Sequence, residues 1–306
     1  MKYKFIKIKF LEKQLYEDFI TSFVFLKSLD HFLYRDDSIK LQEEVSSSYA
    51  ENNSLAIYQG QLLVGYIPIY GNGITQGFFK FPTELFLNEN INEIDVLNEL
   101  AEVRPCSLTL EVFADELKTV VPVRKNVIAS TNLLRAEIDF KRDLRKSYRS
   151  LVNWGRNNLD IQVFEKSNFT EASFNIIKQY YLDVSAMQEK DRRWDHMRNM
   201  FLSETAFAVT GYLDGTLVSL TIIEYGRKIG YYSMGAYDKV MMTNSVPVSF
   251  FVLYHSICIA KSKGLENLVL GYLDSNEEDK KLLNIFNFKK GFSESVNEKN
   301  VYHINC

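Results

Sequence analysis

The stretch from Phe207 to Tyr272 constrains the fold most, because its hydrophobic period changes from strand-like to helical and back. FAVTGYLDGTLVSLTIIEYG (207–226) reads as a strand pair, and KIGYYSMGAYD (228–238) as a third strand. A polar loop follows, from Asp238 to Asn244. The spacing then predicts a helix with Pro247 at or near its first position, running to Lys263, with Gly264 placed to cap its end. LVLGY (268–272) is a short strand of the buried kind. Strands and helices interleaved in this way define an α/β chain.

The first half carries a related pattern. KYKFIKIKF (2–10) alternates as a strand, and helices are expected over 12–28 and near 38–51. LAIYQGQLLVGYIPIYG (55–71) reads as two strands joined at Gln59-Gly60-Gln61. A helix over 91–103 and strands at SLTLEVF (107–113) and LLRAEIDF (133–140) follow. A shift of 155 residues aligns GQLLVGYIPIYG (60–71) with GTLVSLTIIEYG (215–226), with five of 12 positions identical. That shift is about half of the 306 residues, which fits a duplicated domain and two domains by length. The expected division is 1–140 and 141–306. The second domain opens with a basic amphipathic helix in FKRDLRKSYRSLVNWGRNNL (140–159), ending near Gly155. Beyond it lie a strand (160–165), a helix bearing Phe174, Ile177 and Tyr181, a helix over 195–203, a short helix over 276–287 and a last strand near 300–304.

Composition narrows the function classes. Hydrophobic residues make up 46% and charged residues 25%, which excludes a mostly disordered chain. The net charge of −3 argues against a protein devoted to coating DNA. Cys106, Cys258 and Cys306 are scattered, and the four histidines form no close ligand pair, so neither a disulfide framework nor a metal site is expected. Charges interrupt the N-terminal apolar runs, and no stretch of ~18 apolar residues occurs, so the chain reads as cytoplasmic without a membrane span. Gly-x-Ser-x-Gly, P-loop and dinucleotide fingerprints are missing, which leaves hydrolase, kinase and dehydrogenase readings without support.

Several residues stand out as candidates for binding. Arg192, Arg193 and Trp194 join planar cations to an aromatic face, a combination suited to a phosphorylated, nucleotide-linked small-molecule acceptor. They end the polar segment Met187 to Trp194, which reads also as an ordinary helix-flanking loop. Asp238 ends a strand and would bind an incoming amine or accept its proton, or serve only as a turn residue. Tyr231 and Tyr232 alternate across the sheet, and Tyr232 is the candidate for the cleft. Asn244 and Ser245 precede the Pro247 helix and would bind an anion or cap the helix. The basic helix would steer a polyanion such as tRNA, or present a solvated face.

The order of elements in the second half resembles the FemAB-like transferases, which are built from two GNAT-like (acetyltransferase-like) folds. LRKSYRSLVNWGRNNLDIQV (144–163), YLDGTLVSLTII (212–223), YYSMGAYD (231–238), IAKSKGLENLVLG (259–271) and FKKGF (288–292) carry the resemblance. It implies two tandem GNAT-like domains, each a mixed, mostly antiparallel sheet flanked by helices. It implies an N-acyltransferase moving an acyl or aminoacyl group to the amine of a small acceptor, such as a cell-envelope precursor. The co-substrate would be acyl-CoA or aminoacyl-tRNA, with no permanent cofactor. Lys289 of the FKKGF segment is then the catalytic lysine that steadies the transition state, with Asp238 or a water taking the proton; a solvated lysine is the alternative. GNAT proteins hold the CoA pyrophosphate with a Gln/Arg-x-x-Gly-x-Gly/Ala loop. The equivalent stretch here, Met241 to Pro247, has no glycine. That departure keeps open a second class, a GNAT-like binding or assembly protein that has lost catalysis.

Overall fold

The computed structural model describes residues 2–7, 53–67, 69, 83–88, 90–104, 108–112, 117, 120–134, 137–185, 191–226 and 228–304. The helices expected over 12–28 and near 38–51 lie outside these residues, as do Cys106 and Cys306. The chain forms two compact units. Unit 1 comprises Met1–Val127, Leu273–Glu278 and Asn297–Cys306; unit 2 comprises Ile128–Tyr272 and Asp279–Val296. The expected cut after residue 140 falls inside a helix instead of between units. The last strand joins unit 1 because Tyr302 and Ile304 are buried in that unit's core.

In chain order the first strands are β1 (Lys4–Lys7), β2 (Leu55–Gln59), β3 (Leu62–Ile67), β4 (Thr83–Glu84) and β5 (Phe86–Leu87). Helix α1 (Glu93–Val103) and strand β6 (Leu108–Val112) follow. Unit 1 holds one sheet in the order β1-β2-β3-β5. Helix α1 is capped by the Asn92 side chain and buries Val96, Leu97, Leu100 and Ala101 with Leu55, Ile57 and Val64.

Next come β7 (Pro122–Asn132), α2 (Glu137–Asp143), α3 (Lys146–Asn158), β8 (Asp160–Phe164), α4 (Glu171–Ser185) and α5 (Asp191–Leu202). Strands β9 (Ala206–Leu213), β10 (Thr216–Tyr225) and β11 (Ile229–Tyr237) lead to α6 (Lys239–Thr243) and α7 (Val248–Ser262). The chain ends with β12 (Asn267–Asp274), α8 (Lys280–Lys290) and β13 (Ser295–Ile304). In unit 2 the strand order is β12-β11-β10-β9-β8; β11 and β12 run parallel and the other neighbours antiparallel. The result is an α/β fold with helices packed on mixed and antiparallel sheets.

Both strand pairs matched by the 155-residue shift turn on a left-handed glycine, Gly60 at φ 62° and Gly215 at φ 77°. Both also carry a register shift, at Ile57/Tyr58 and at Leu217/Ser219. Helix α7 follows Pro247 and ends as expected, with Gly264 at φ 80°. It is apolar on nearly every side, and buries Val248, Phe251, Val252, Leu253, Tyr254, Ile257 and Ala260.

Two expectations fail around residue 140. LLRAEIDF is not a strand: β7 ends at Asn132 and Glu137 already lies in α2. The basic stretch is two helices, and Gly155 is internal to α3 instead of ending it. The reason is contact with α7. A Cβ on Gly155 would stand 2.4 Å from Phe251 Cβ, so the missing side chain lets the helices close. Gly155→Ala is therefore expected to destabilise the protein by ~1–3 kcal/mol, the usual cost of overpacking, despite alanine's better helix propensity. A urea melt measures it; unchanged or increased stability would contradict this packing.

Candidate active site

The candidate site forms where β11 and β12 part. Their parallel register runs from Ile229↔Asn267 to Tyr231↔Val269 and stops there. On the other side, β11 slips against β10: Ile222 pairs with Met234, and Ile223 with Tyr232. Ser233 is the extra residue of this bulge, and its hydroxyl donates to buried Glu224 at 2.5 Å. A bulge shifts the alternation of side chains by one. Tyr231, Met234 and Ala236 are accordingly buried, while Tyr232 and Tyr237 are half-buried.

Tyr232 projects where Gly235 leaves room. A Cβ on Gly235 would stand 1.6 Å from the Tyr232 hydroxyl, so no other residue fits there without moving the tyrosine. That hydroxyl bonds Thr221, and burial pushes its ionisation well above the usual phenol range. The Lys289 ammonium lies 4.0 Å from the centre of the Tyr232 ring. On the β12 side, Lys289 passes Gly271, where a Cβ would meet its Cδ at 3.0 Å. The lysine side chain thus spans from one parting strand to the other.

Lys289 sits in the last turn of α8. Its neighbour Phe288 makes edge contacts with Phe250 at 5.1 Å and Phe292 at 5.5 Å, which anchors the segment. Gly291 admits the Tyr148 ring, which a Cβ there would meet at 2.2 Å. Lys289 is half-buried; burial of its ammonium pulls it down to about 8, and no salt bridge to a carboxylate is formed by it among the described residues. Lys290, the next residue, is exposed.

The other sequence candidates are distributed differently. Asp238 caps α6, its carboxylate accepting from the Met241 N–H at 3.0 Å. Tyr180 of α4 lies close enough to Asp238 for the carboxylate to help raise its phenol, after the larger effect of burial. The Tyr180 hydroxyl is buried and faces the Asp238 backbone. Sequence reasoning passed over Tyr180 because helical spacing assigns Tyr181 to the core face and leaves its neighbour unremarked. Asn244 is the C-cap of α6, and Ser245 takes a left-handed φ of 63°; both are exposed. Neither caps α7, whose N-cap is Pro247 and which has no side-chain cap bond.

Trp194 does not offer a stacking face. It is 1% exposed and makes edge contacts with Phe174 at 6.0 Å and Tyr181 at 5.5 Å, so it belongs to the core. Its indole N–H is buried with no partner. Arg192 and Arg193 lie in α5, and their side chains fall outside the described residues. The loop expected there is thus helical from Asp191 onward, which turns Trp194 inward toward α4. The rest of the polar segment, 187–190, lies outside the described residues.

A cavity of 370 Å³ opens beside these residues within unit 2. Phe288 and Tyr237, the sequence neighbours of Lys289 and Asp238, line it together with residues of α3, α6, α7 and α8. No helix among the described residues is long and apolar enough to cross a membrane.

Comparison with known proteins assigns the fold. The crystal structure of FemX matches with a TM-score of 0.63 and 11% identity, covering 100% of this chain and 98% of that one. A conserved protein of unknown function from Bacteroides thetaiotaomicron VPI-5482 matches with a TM-score of 0.55 and 9% identity, covering 99% of each chain. No family model matches, and no curated protein does. The chain thus has the α/β fold of FemX.

The enclosed lysine has a measurable consequence. Folding lowers its pKa from 10.5 to about 8, so the unfolded chain holds more protons between those values. Stability of the native protein therefore rises with pH across that window, and below pH 8 the buried charge is a cost. Lys289→Met is expected to be ~1–3 kcal/mol more stable than the native protein at pH 7, with the difference shrinking from pH 8 upward. Denaturant melts across that range check it; equal stability at every pH would show that the ammonium is solvated.

Proposed function

We propose that this protein is an N-acyltransferase of the Fem/GNAT kind, which joins an activated acyl group to the amine of a small acceptor. The observation that carries the reading is Lys289, a cation held without a carboxylate partner at the parting of β11 and β12. An enclosed, unneutralised ammonium is suited to the oxyanion that develops when an amine attacks an ester or thioester carbonyl. The FemX fold supports the same class.

In this mechanism the amine attacks the acyl carbonyl, the ammonium takes up the developing negative charge, and the bond to the carrier breaks as its oxygen or sulfur regains the proton that the amine gives up. Tyr232 holds the lysine in place from below. Asp238 stands at the end of the same strand, where a carboxylate or a water it orients would receive the amine's proton. The donor is acyl-CoA or aminoacyl-tRNA, and the acceptor a phosphorylated or envelope-precursor amine. Asn244, Ser245, Arg192 and Arg193 are the candidates for its charged groups. The chain's work is placed in the cytoplasm, where both donors are made.

The stretch from Met241 to Pro247 favours a second reading. It forms a short helix, a left-handed turn and a buried proline, with no glycine loop for the pyrophosphate. A protein that binds without catalysis fits that observation, as does a donor held in another way.

The test is mass-spectrometric detection of new amides when the purified chain is given acyl-CoAs or aminoacyl-tRNAs with pools of amine-bearing precursors. Transfer is expected, and Lys289→Met should lower kcat/KM about a hundredfold, the typical loss for one oxyanion donor. The native enzyme should also lose activity as pH rises through 8, where the ammonium deprotonates. No amide from any donor would leave the binding reading, and full activity in Lys289→Met would remove the lysine from the chemistry.

A further inference from the structure

The 370 Å³ cavity sets apolar and aromatic side chains beside one cation. Tyr148, Phe250 and Phe288 form an aromatic wall, with ring centres 5.0 Å apart for the first pair and 5.1 Å for the second. Met242 adds an adaptable apolar surface, and Ser249 approaches its sulfur at 3.8 Å. Burial raises the Tyr148 phenol, so that wall stays neutral at working pH. The remaining polar lining residues are Tyr237, Ser249, Asn284 and Asn287, the last two exposed on α8.

Arg145 is the cation among the lining residues, and no lining residue carries a carboxylate. Arg145 is exposed and forms no salt bridge among the described residues. The nearest acid in sequence to the Tyr237 wall, Asp238, is turned to the Met241 N–H as a cap. A cationic group entering here would find no counter-ion and would meet the guanidinium. An apolar body would be covered by aromatic surface, and an anionic end would find Arg145 unpaired.

We infer that this cavity binds an apolar acyl group without an α-ammonium, with the anionic part of its carrier held at Arg145, and that it rejects aminoacyl groups. The assignment rests on the acyl-transfer reading and chooses between the two donors that reading leaves open. Size is compatible, since pockets for small ligands begin at ~300 Å³. Phe288 and Tyr237, which line the cavity, are the sequence neighbours of Lys289 and Asp238 in the same unit.

The experiment compares matched free acids that differ only by the α-ammonium: 3-phenylpropanoate against phenylalanine, and octanoate against 2-aminooctanoate. Binding is followed by protein-observed NMR, with no turnover required. The expected result is saturable binding of both simple acids, at least tenfold tighter than their amino counterparts. Arg145→Gln should weaken the simple acids about tenfold. Asn284→Asp, which adds a carboxylate to the wall, should reverse the preference within each pair. Both positions are exposed, and circular dichroism confirms that the variants fold. Equal or tighter binding of the amino acids by the native protein, no saturable binding, or a preference untouched by both variants would overturn the assignment. Failure of the acyl-transfer reading looks different: no amide forms from any donor while the acids still bind. Turnover with aminoacyl-tRNA and not with acyl-CoA would uphold transfer and overturn the cavity's assignment.

Discussion

A lysine enclosed between two parting strands is the constraint on which the second unit's site depends. Strands β11 and β12 pair in parallel only as far as Tyr231 and Val269, and Lys289 passes from Gly271 to the Tyr232 ring just beyond that point. Removing an ammonium from water is costly, and a cation over an aromatic face returns only part of that cost, about 0.5–2 kcal/mol. The protein bears the remainder as a lowered pKa. Strain of this kind is expected where a charge is held ready for chemistry.

The surroundings are arranged to keep that charge in place. The Ser233 bulge re-phases β11, so that Tyr232 and Tyr237 leave the face that buries Tyr231, Met234 and Ala236. Gly235 gives the Tyr232 hydroxyl its space, and Gly291 gives Tyr148 its approach to the end of α8. The aromatic cluster of Tyr148, Phe250, Phe288 and Phe292 then fixes the helix end that carries Lys289. The glycines act here by absence of a side chain, each opposite an aromatic ring that needs the room. One device thus joins the bulge, the cavity wall and the lysine.

Much of the fold was legible because period and punctuation agreed. Pro247 and Gly264 bracket α7 in the sequence and in the structure, and the turns at Gly60 and Gly215 stand where the strand pairs require them. The region around residue 140 was misread because Gly155 looks like a helix terminator when Phe251, far along the chain, cannot be seen. Trp194 was misassigned for a related reason. Its polar neighbours suggest a loop, yet helix α5 begins at Asp191 and turns the indole onto Phe174 and Tyr181. Lys289 stood out through its FKKGF setting, but its enclosure depends on Tyr232 and Gly271, which no local pattern links to it. The bulge at Ser233 and the burial of the Tyr180 hydroxyl beside Asp238 leave no sequence signal, since both arise from pairing and packing between distant segments.

Whether the Lys289 ammonium is held away from water is read from its own titration. With lysine side chains labelled at Cε and the Lys289 signal assigned by its loss in Lys289→Met, the chemical shift is followed against pH by NMR. The expected midpoint is near 8, well below the ordinary 10.5. A midpoint at the ordinary value would show a solvated lysine and contradict the site as described.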